Sequence, residues 1–276
     1  MMSYRCIVLD LDRTTLNSQG KLSEINREAL RYAMENGVQV VVASGRPFYA
    51  LPEEILSFPG LDYAITSNGA AICHIPEKKR LGGYTLSPEA AEAIVGLAER
   101  EGLLCECFIR GVGYAQADYV RCPTAYGAAP EAVAYIKNNR RPVEDIFSFI
   151  RQHEREIDSI DIIVNNPAKK EEIWSCLKKK VSDIYITSSG AGLIEISNCQ
   201  AGKHTGVAFL MKWLGISMEE TAAFGDGDND AELLSHAGCG IAVANASEKC
   251  LAAADYVTLS SEENGVAHWI YHILKI

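Results

Sequence analysis

Residues 8–16 read Val8-Leu9-Asp10-Leu11-Asp12-Arg13-Thr14-Thr15-Leu16, and the run before them, Cys6 to Leu9, is apolar throughout. A short continuous apolar run fits a strand buried on both faces, as in a parallel sheet. Open parallel sheets bind ligands outside the carboxyl ends of their strands. Here that end carries two carboxylates one residue apart and a hydroxyl two residues later. Acids in such a place are costly to the fold unless a cation or a reaction employs them. Asp10 and Asp12 are therefore the first candidates for chemistry.

The pattern around this stretch is an alternation of strands and helices. Ser23 can cap a helix running to about Asn36, with Gly37 suited to the position just past its end. Ala29, Leu30, Ala33 and Met34 recur at helical spacing. Val38 to Ala43 is the next apolar strand and ends in Ser44-Gly45-Arg46-Pro47; a third, near Tyr63 to Thr66, ends in Ser67-Asn68-Gly69. This rhythm predicts a parallel sheet with right-handed crossovers. After Gly82-Gly83 it changes. A helix from Pro88, an antiparallel pair at Leu104 to Ile109 and Val112 to Ala117, a short helix at Glu131 to Asn138 and strands at Ile160, Ile184 and Leu193 fit an α+β insert. The parallel rhythm returns at Gly202, with a helix from Lys203 to Leu214, a strand from Thr221 to Phe224, and strands at Gly240 and Tyr256. The expected organisation is a discontinuous α/β core of residues 1–82 and 199–276, with residues 83–198 inserted as a second domain.

Composition bounds the function. The 276-residue chain has a formal net charge of −10, which argues against nucleic acid or an anionic membrane as partner. No run of about 18 apolar residues is present to span a bilayer, and no signal peptide is visible near Met1. Nine scattered cysteines fit reduced thiols in the cytoplasm. Cys105 and Cys107 are the single close pair, and alternation along a strand explains them better than a metal site. Trp269, Ile270, Ile273 and Leu274 form an apolar stripe expected to pack on the core.

Four polar clusters stand at strand ends or at a helix start: Asp10/Asp12/Thr14, Ser44/Gly45/Arg46, Lys203, and Asp226/Asn229/Asp230. The last lies in Gly225-Asp226-Gly227-Asp228-Asn229-Asp230, which superficially fits a calcium loop. An EF-hand needs Glu at its twelfth position and a helix before the loop; here position twelve is Ala237 and a strand precedes. Taken in order, the clusters resemble the haloacid dehalogenase superfamily, specifically its Cof-like phosphatases with a type IIB α/β cap. The pattern D-x-D-x-[TV] matches Asp10 to Thr14, the Ser or Thr of the second motif matches Ser44, the basic third motif matches Lys203, and G-D-x-x-N-D matches Gly225 to Asp230. Asn68-Gly69-Ala70 and Asn264-Gly265-Val266 also look Cof-like. The chain departs from the usual Cof-like pattern at Arg13, where Gly is common.

The resemblance implies a Rossmann-like parallel-sheet core, a cap acting as a lid, and a Mg²⁺-dependent phosphatase of small phosphorylated metabolites, sugar phosphates first. Asp10 would be the nucleophile, forming an aspartyl-phosphate, and Asp12 the acid and base. Asp10, the backbone carbonyl of Asp12 and Asp226 would hold Mg²⁺; Ser44, Gly45, Lys203 and Asn229 would hold the phosphoryl group; Thr14, Arg46 and Asp230 would support them. Gly82-Gly83 and Ser197 to Gly202 are the expected hinges, and specificity residues are expected on cap loops such as Arg110 to Tyr114 and Ser188 to Gly192. A phosphomutase and a non-catalytic regulatory module on the same fold are the rival readings, the second favoured by Arg13 alone.

Overall fold

The protein is described by a computed structural model covering residues 4–190, 192–272 and 274. Its strands, in chain order, are β1 (Cys6–Leu9), β2 (Gln39–Ala43), β3 (Tyr63–Thr66), β4 (Ala71–His74), β5 (Lys79–Gly83), β6 (Leu104–Ile109), β7 (Val112–Gln116), β8 (Arg140–Val143), β9 (Ile157–Ile163), β10 (Ile184–Thr187), β11 (Leu193–Asn198), β12 (Thr221–Gly225), β13 (Cys239–Ala242) and β14 (Tyr256–Val257). The chain divides into two compact units. Met1–Gly45, Pro52–Gly82 and Gly202–Ile276 form the first, and Arg46–Leu51 with Gly83–Ala201 form the second.

The first unit is α/β. Its sheet runs in the order β14-β13-β12-β1-β2-β3-β4-β5. Neighbours from β14 to β3 are parallel, and β4 turns back antiparallel on β3. Every residue of β1 and of β12 is buried, which is why these strands read as continuous apolar runs rather than alternating ones. The helix Glu24–Glu35 starts where Ser23 Oγ accepts from the Asn26 N–H at 3.1 Å and ends before Gly37 at φ +82°. Trp269 and Ile270 of the last helix are fully buried and Leu274 nearly so, with the Trp269 ring edge-on to Phe224 at 5.4 Å; Ile273 lies outside the described residues. The connectivity positions the site. From β1 the chain proceeds to β2 and β3 on one side, and the later strand β12 flanks β1 on the other. Strand order reverses at β1, and a crevice opens outside the carboxyl ends at such a point.

The second unit is α+β. Its sheet, in the order β10-β11-β9-β6-β7-β8, is antiparallel except for the β7–β8 pair. The helices Pro88–Arg100, Ile146–Gln152 and Pro167–Lys180 share one core with Cys105, Cys107, Ile160, Ile162, Ile194 and Ile196. Both cysteines thus face the apolar core, burial pushes their thiols up, and all nine cysteines of the chain are free. Period-two alternation puts Glu106, Asp161 and Glu195 on the opposite face, in register across β6, β9 and β11. Arg140 pairs with Glu106 at 2.7 Å.

Several features differ from the expectation. The β4–β5 hairpin was not anticipated, because its turn lies in a polar, lysine-rich stretch, Glu77 to Lys79. Nor was β8, which contains Pro142; it is tolerated because β8 is an edge strand, where a missing N–H costs no ladder bond. Arg46–Leu51, expected in the first unit, groups with the second. There the Tyr49 N–H donates to the Gly111 carbonyl at 3.0 Å, Phe48 fills the space a Cβ on Gly111 would need, and the Arg46 guanidinium lies over the Tyr135 ring at 4.9 Å.

Candidate active site

The end of β1 is tied to its neighbour by the Asp10 N–H, which donates to the Phe224 carbonyl on β12 at 3.1 Å. The chain then reverses in one irregular turn. Thr15 Oγ1 donates to the Asp10 carbonyl at 2.6 Å and the Leu16 N–H to the Leu11 carbonyl at 2.8 Å. Closing this turn needs Asp12 extended and Arg13 left-handed, at φ +61°. Asn245 holds the outer edge by donating to the Arg13 carbonyl at 2.8 Å.

Lys203, the first residue of the helix Lys203–Leu214, reaches this turn. It is 1% exposed, and its Nζ lies 2.7 Å from Asp10 Oδ1 and 2.6 Å from Asp230 Oδ1. The second oxygen of Asp230 accepts from the backbone N–H groups of Asp226 at 3.1 Å and Gly227 at 2.9 Å. Asp230 therefore fastens the loop after β12 and the lysine at once. Gly225 permits this, because a Cβ there would overlap the Asp230 side chain. Asp226 accepts from Thr14 Oγ1 at 3.2 Å, and Arg13 Nε lies 3.8 Å from its other oxygen.

The electrostatics are those of crowded acids around one buried ammonium. Burial pushes the Asp10 carboxyl well above the usual carboxylate range, against the pull of Lys203, and Asp230 and Asp226 add to the rise. Burial and Asp230 raise Asp226 to about 6, against the opposing Lys203, Arg13 and Thr14. Burial pulls the Lys203 ammonium down, yet Asp10 and Asp230 outweigh it and hold it above its ordinary value. Carboxylate oxygens of Asp10, Asp226 and Asp230 all lie within 4.8 Å of one another. The excess negative charge and hard oxygen donors suit a divalent cation such as Mg²⁺. Both Asp230 oxygens serve Lys203 and the backbone, so Asp10 and Asp226 are the candidate donors for such an ion. Asp12, expected to contribute through its backbone carbonyl, is not in this side-chain cluster.

The remaining expected residues are placed as follows. Ser44 is buried at the end of β2, the parallel neighbour of β1, with its N–H donating to the Ile65 carbonyl at 2.9 Å and Gly45 following. Asn229 is buried and donates Nδ2 to Asn68 Oδ1 at 2.9 Å. Asn68 had no expected role, although its place at the end of β3 and its Asn-Gly-Ala context marked it. Arg46 belongs to the second unit, where it also donates to the Ala50 carbonyl at 3.1 Å. His204 Nδ1 lies 3.2 Å from Glu232. In the expected specificity loops, Arg110 pairs with Glu156 at 3.2 Å, the Tyr114 ring lies tilted against Phe149 at 4.7 Å, and Ser189 donates to Glu195 at 2.9 Å; Ala191 lies outside the described residues.

The sequence pattern of the haloacid dehalogenase-like hydrolases matches residues 7–270. Phosphatase YwpJ of Bacillus subtilis is 32% identical, across 98% of this chain and 100% of its own length. The 5-amino-6-(5-phospho-D-ribitylamino)uracil phosphatase YwtE of the same species is 26% identical, across 98% of each chain. A solved structure of a subclass IIB sugar phosphatase of the haloacid dehalogenase superfamily superposes with a TM-score of 0.83 at 23% identity, across 97% of this chain and 98% of that one, and so shares the fold.

Proposed function

Because the chain belongs to the haloacid dehalogenase-like hydrolases and is a phosphoric monoester hydrolase like its relatives, we propose that it hydrolyses small phosphorylated sugars or polyols through an aspartyl-phosphate on Asp10. The observation that carries this reading is Lys203 clasped between Asp10 and Asp230 beside Asp226, at the point where strand order reverses. The relatives acting on a phosphorylated ribityl chain support a polyol leaving group.

In this reading an Asp10 oxygen attacks phosphorus, the P–O bond to the leaving alcohol breaks, and Asp12 delivers a proton to that oxygen. Asp12 then takes a proton from water as the water attacks the phosphoryl-aspartate, which returns Asp10 and releases phosphate. Lys203, Ser44, the Gly45 N–H and Asn229 hold the phosphoryl oxygens, and the start of the Lys203–Leu214 helix adds its N–H groups. Asp230 holds Lys203 in place. Asp10, Asp226 and the Asp12 carbonyl would hold Mg²⁺, which would supply positive charge to let an anionic carboxylate approach an anionic phosphate. The inserted unit selects the leaving group, and the free thiols fit a reducing cytoplasm. No helix among the described residues is long and apolar enough to cross a membrane.

A panel of sugar, polyol and nucleotide phosphates, assayed for released phosphate with Mg²⁺, tests the reading. The polyol and sugar esters are expected to turn over and exhaustive chelation to abolish turnover. Activity that survives chelation removes the metal, an isomerised sugar phosphate without free phosphate identifies a mutase, and silence across the panel restores the binding-module reading.

Arg13 makes a separate prediction. Its cation sits 3.8 Å from Asp226, and above pH 7 Asp226 is already ionised, since its carboxyl is raised only to about 6. Arg13 then acts chiefly by repelling a second cation. Arg13→Gly also suits the left-handed backbone. The Mg²⁺ concentration for half-maximal activity is expected to fall by about two- to five-fold, the range for a screened, exposed charge. An unchanged or higher requirement contradicts this placement of Arg13.

A further inference from the structure

We propose that Asn68 is a positioning residue for the reaction: its carboxamide oxygen sets the orientation of Asn229 toward the phosphoryl group. The inference rests on the phosphatase reading above and assigns a task to a residue outside the four expected clusters. Both side chains are buried, and Asn229 Nδ2 donates to Asn68 Oδ1 at 2.9 Å. A carboxamide can flip, exchanging its donor and acceptor ends. Here a flip would set Asn229 Oδ1 against Asn68 Oδ1, so the bond locks the orientation. Asn229 Oδ1 lies instead over Gly227, where any Cβ would collide with it. One N–H of Asn229 is spent on Asn68 and the other remains for an anion.

The backbone of Asn68 shows what this costs. Ser67, Asn68 and Gly69 are consecutively left-handed, at φ +48°, +50° and +93°. Two non-glycine residues in that region carry backbone strain. The Ser67 hydroxyl is buried without a hydrogen-bond partner. The conformation is fixed from three directions. The Asn68 N–H donates to the Ser44 carbonyl at 3.2 Å, Asn229 grips the side chain, and Gly69 lies so close to Gly202 that a Cβ would overlap the Gly202 carbonyl. The tripeptide thus wedges together the end of β2, the residue before Lys203 and the loop after β12. Glycine would occupy φ +50° more easily than asparagine. Asparagine in its place implies a use for the side chain, and among the described residues the partner of that side chain is Asn229.

Asn68→Gly separates the two roles, since it relieves the backbone and removes the acceptor. The test compares wild type, Asn68→Gly, Asn229→Ala and the double variant by three readouts: kcat and KM on an aryl phosphate, calorimetric binding of inorganic phosphate with Mg²⁺ present, and thermal midpoint. Asn68→Gly is expected to keep the wild-type midpoint, to lower kcat/KM about tenfold and to weaken phosphate binding by a similar factor. The double variant is expected to fall no more than twofold below Asn229→Ala, because Asn68 acts through Asn229. Full activity and phosphate binding in Asn68→Gly, or losses that multiply with those of Asn229→Ala, overturn the proposal. Should wild type hydrolyse no ester, the phosphatase reading fails, and the phosphate titration still decides whether Asn68 positions Asn229.

Discussion

Asp10→Asn is expected to lower phosphate release by on the order of 10⁴-fold or more, the scale seen when a covalent nucleophile is removed, while the thermal midpoint stays level or rises. The two halves of this expectation have different origins. Activity is lost because a carboxamide oxygen cannot form the acyl-phosphate bond. Stability is kept because Asn has nearly the same shape and its Oδ1 can still accept from the Lys203 ammonium, 2.7 Å away in the native chain. Burial and the neighbouring Asp230 and Asp226 already disfavour the charged form of Asp10. Deleting its charge therefore relieves repulsion in metal-free protein. Phosphate release and a melting curve in chelator measure both. Turnover near the wild-type rate rejects Asp10 as nucleophile, and a collapsed midpoint shows that Asp10 was chiefly holding the fold.

What could be read in the sequence depended on how local its cause was. β1, β2 and β12 are covered on both faces, so each announces itself as an apolar run, and the polar residue that follows each run lands at one edge of the sheet. The acids, Ser44 and the glycine loop after β12 were legible for that reason. The cap strands at Cys105 and Cys107 were legible from their alternation. Contacts between residues far apart in sequence left no local mark. Asn68 and Asn229 are 161 residues apart, and neither flanking sequence signals the pairing. The allegiance of Arg46–Leu51 to the second unit depends on Gly111 and Tyr135, which no periodicity around Arg46 reveals. The acids Glu106, Asp161 and Glu195 became a row once strand register was known. Asp226 and Asp230 look equivalent in Gly225 to Asp230, and the hydrogen bonds distinguish them, since both oxygens of Asp230 are engaged by Lys203 and backbone N–H groups.

Lys203→Met carries the largest expected effect on folding. The side chain is 1% exposed and its ammonium is shared by two carboxylates. Methionine fills a similar volume, so packing is largely retained, but Asp10 and Asp230 lose their common cation inside the protein. Breaking a buried pair from one side costs about 3–5 kcal/mol, because the remaining charge is left uncompensated. For a chain of this size the midpoint in chelator is expected to fall by roughly 10 °C, at about 2–4 °C per kcal/mol. The origin of the loss can be checked by a second substitution. If it lies in stranded charge rather than in lost contacts, adding Asp10→Asn to Lys203→Met should recover stability, although the double variant has lost still more of the native network. Two residues in direct contact are expected to show such non-additivity. Denaturation of wild type, both single variants and the double variant gives the coupling directly. A double variant less stable than Lys203→Met would mean that Lys203 stabilises the core by its packing and its helix, with the acids contributing little.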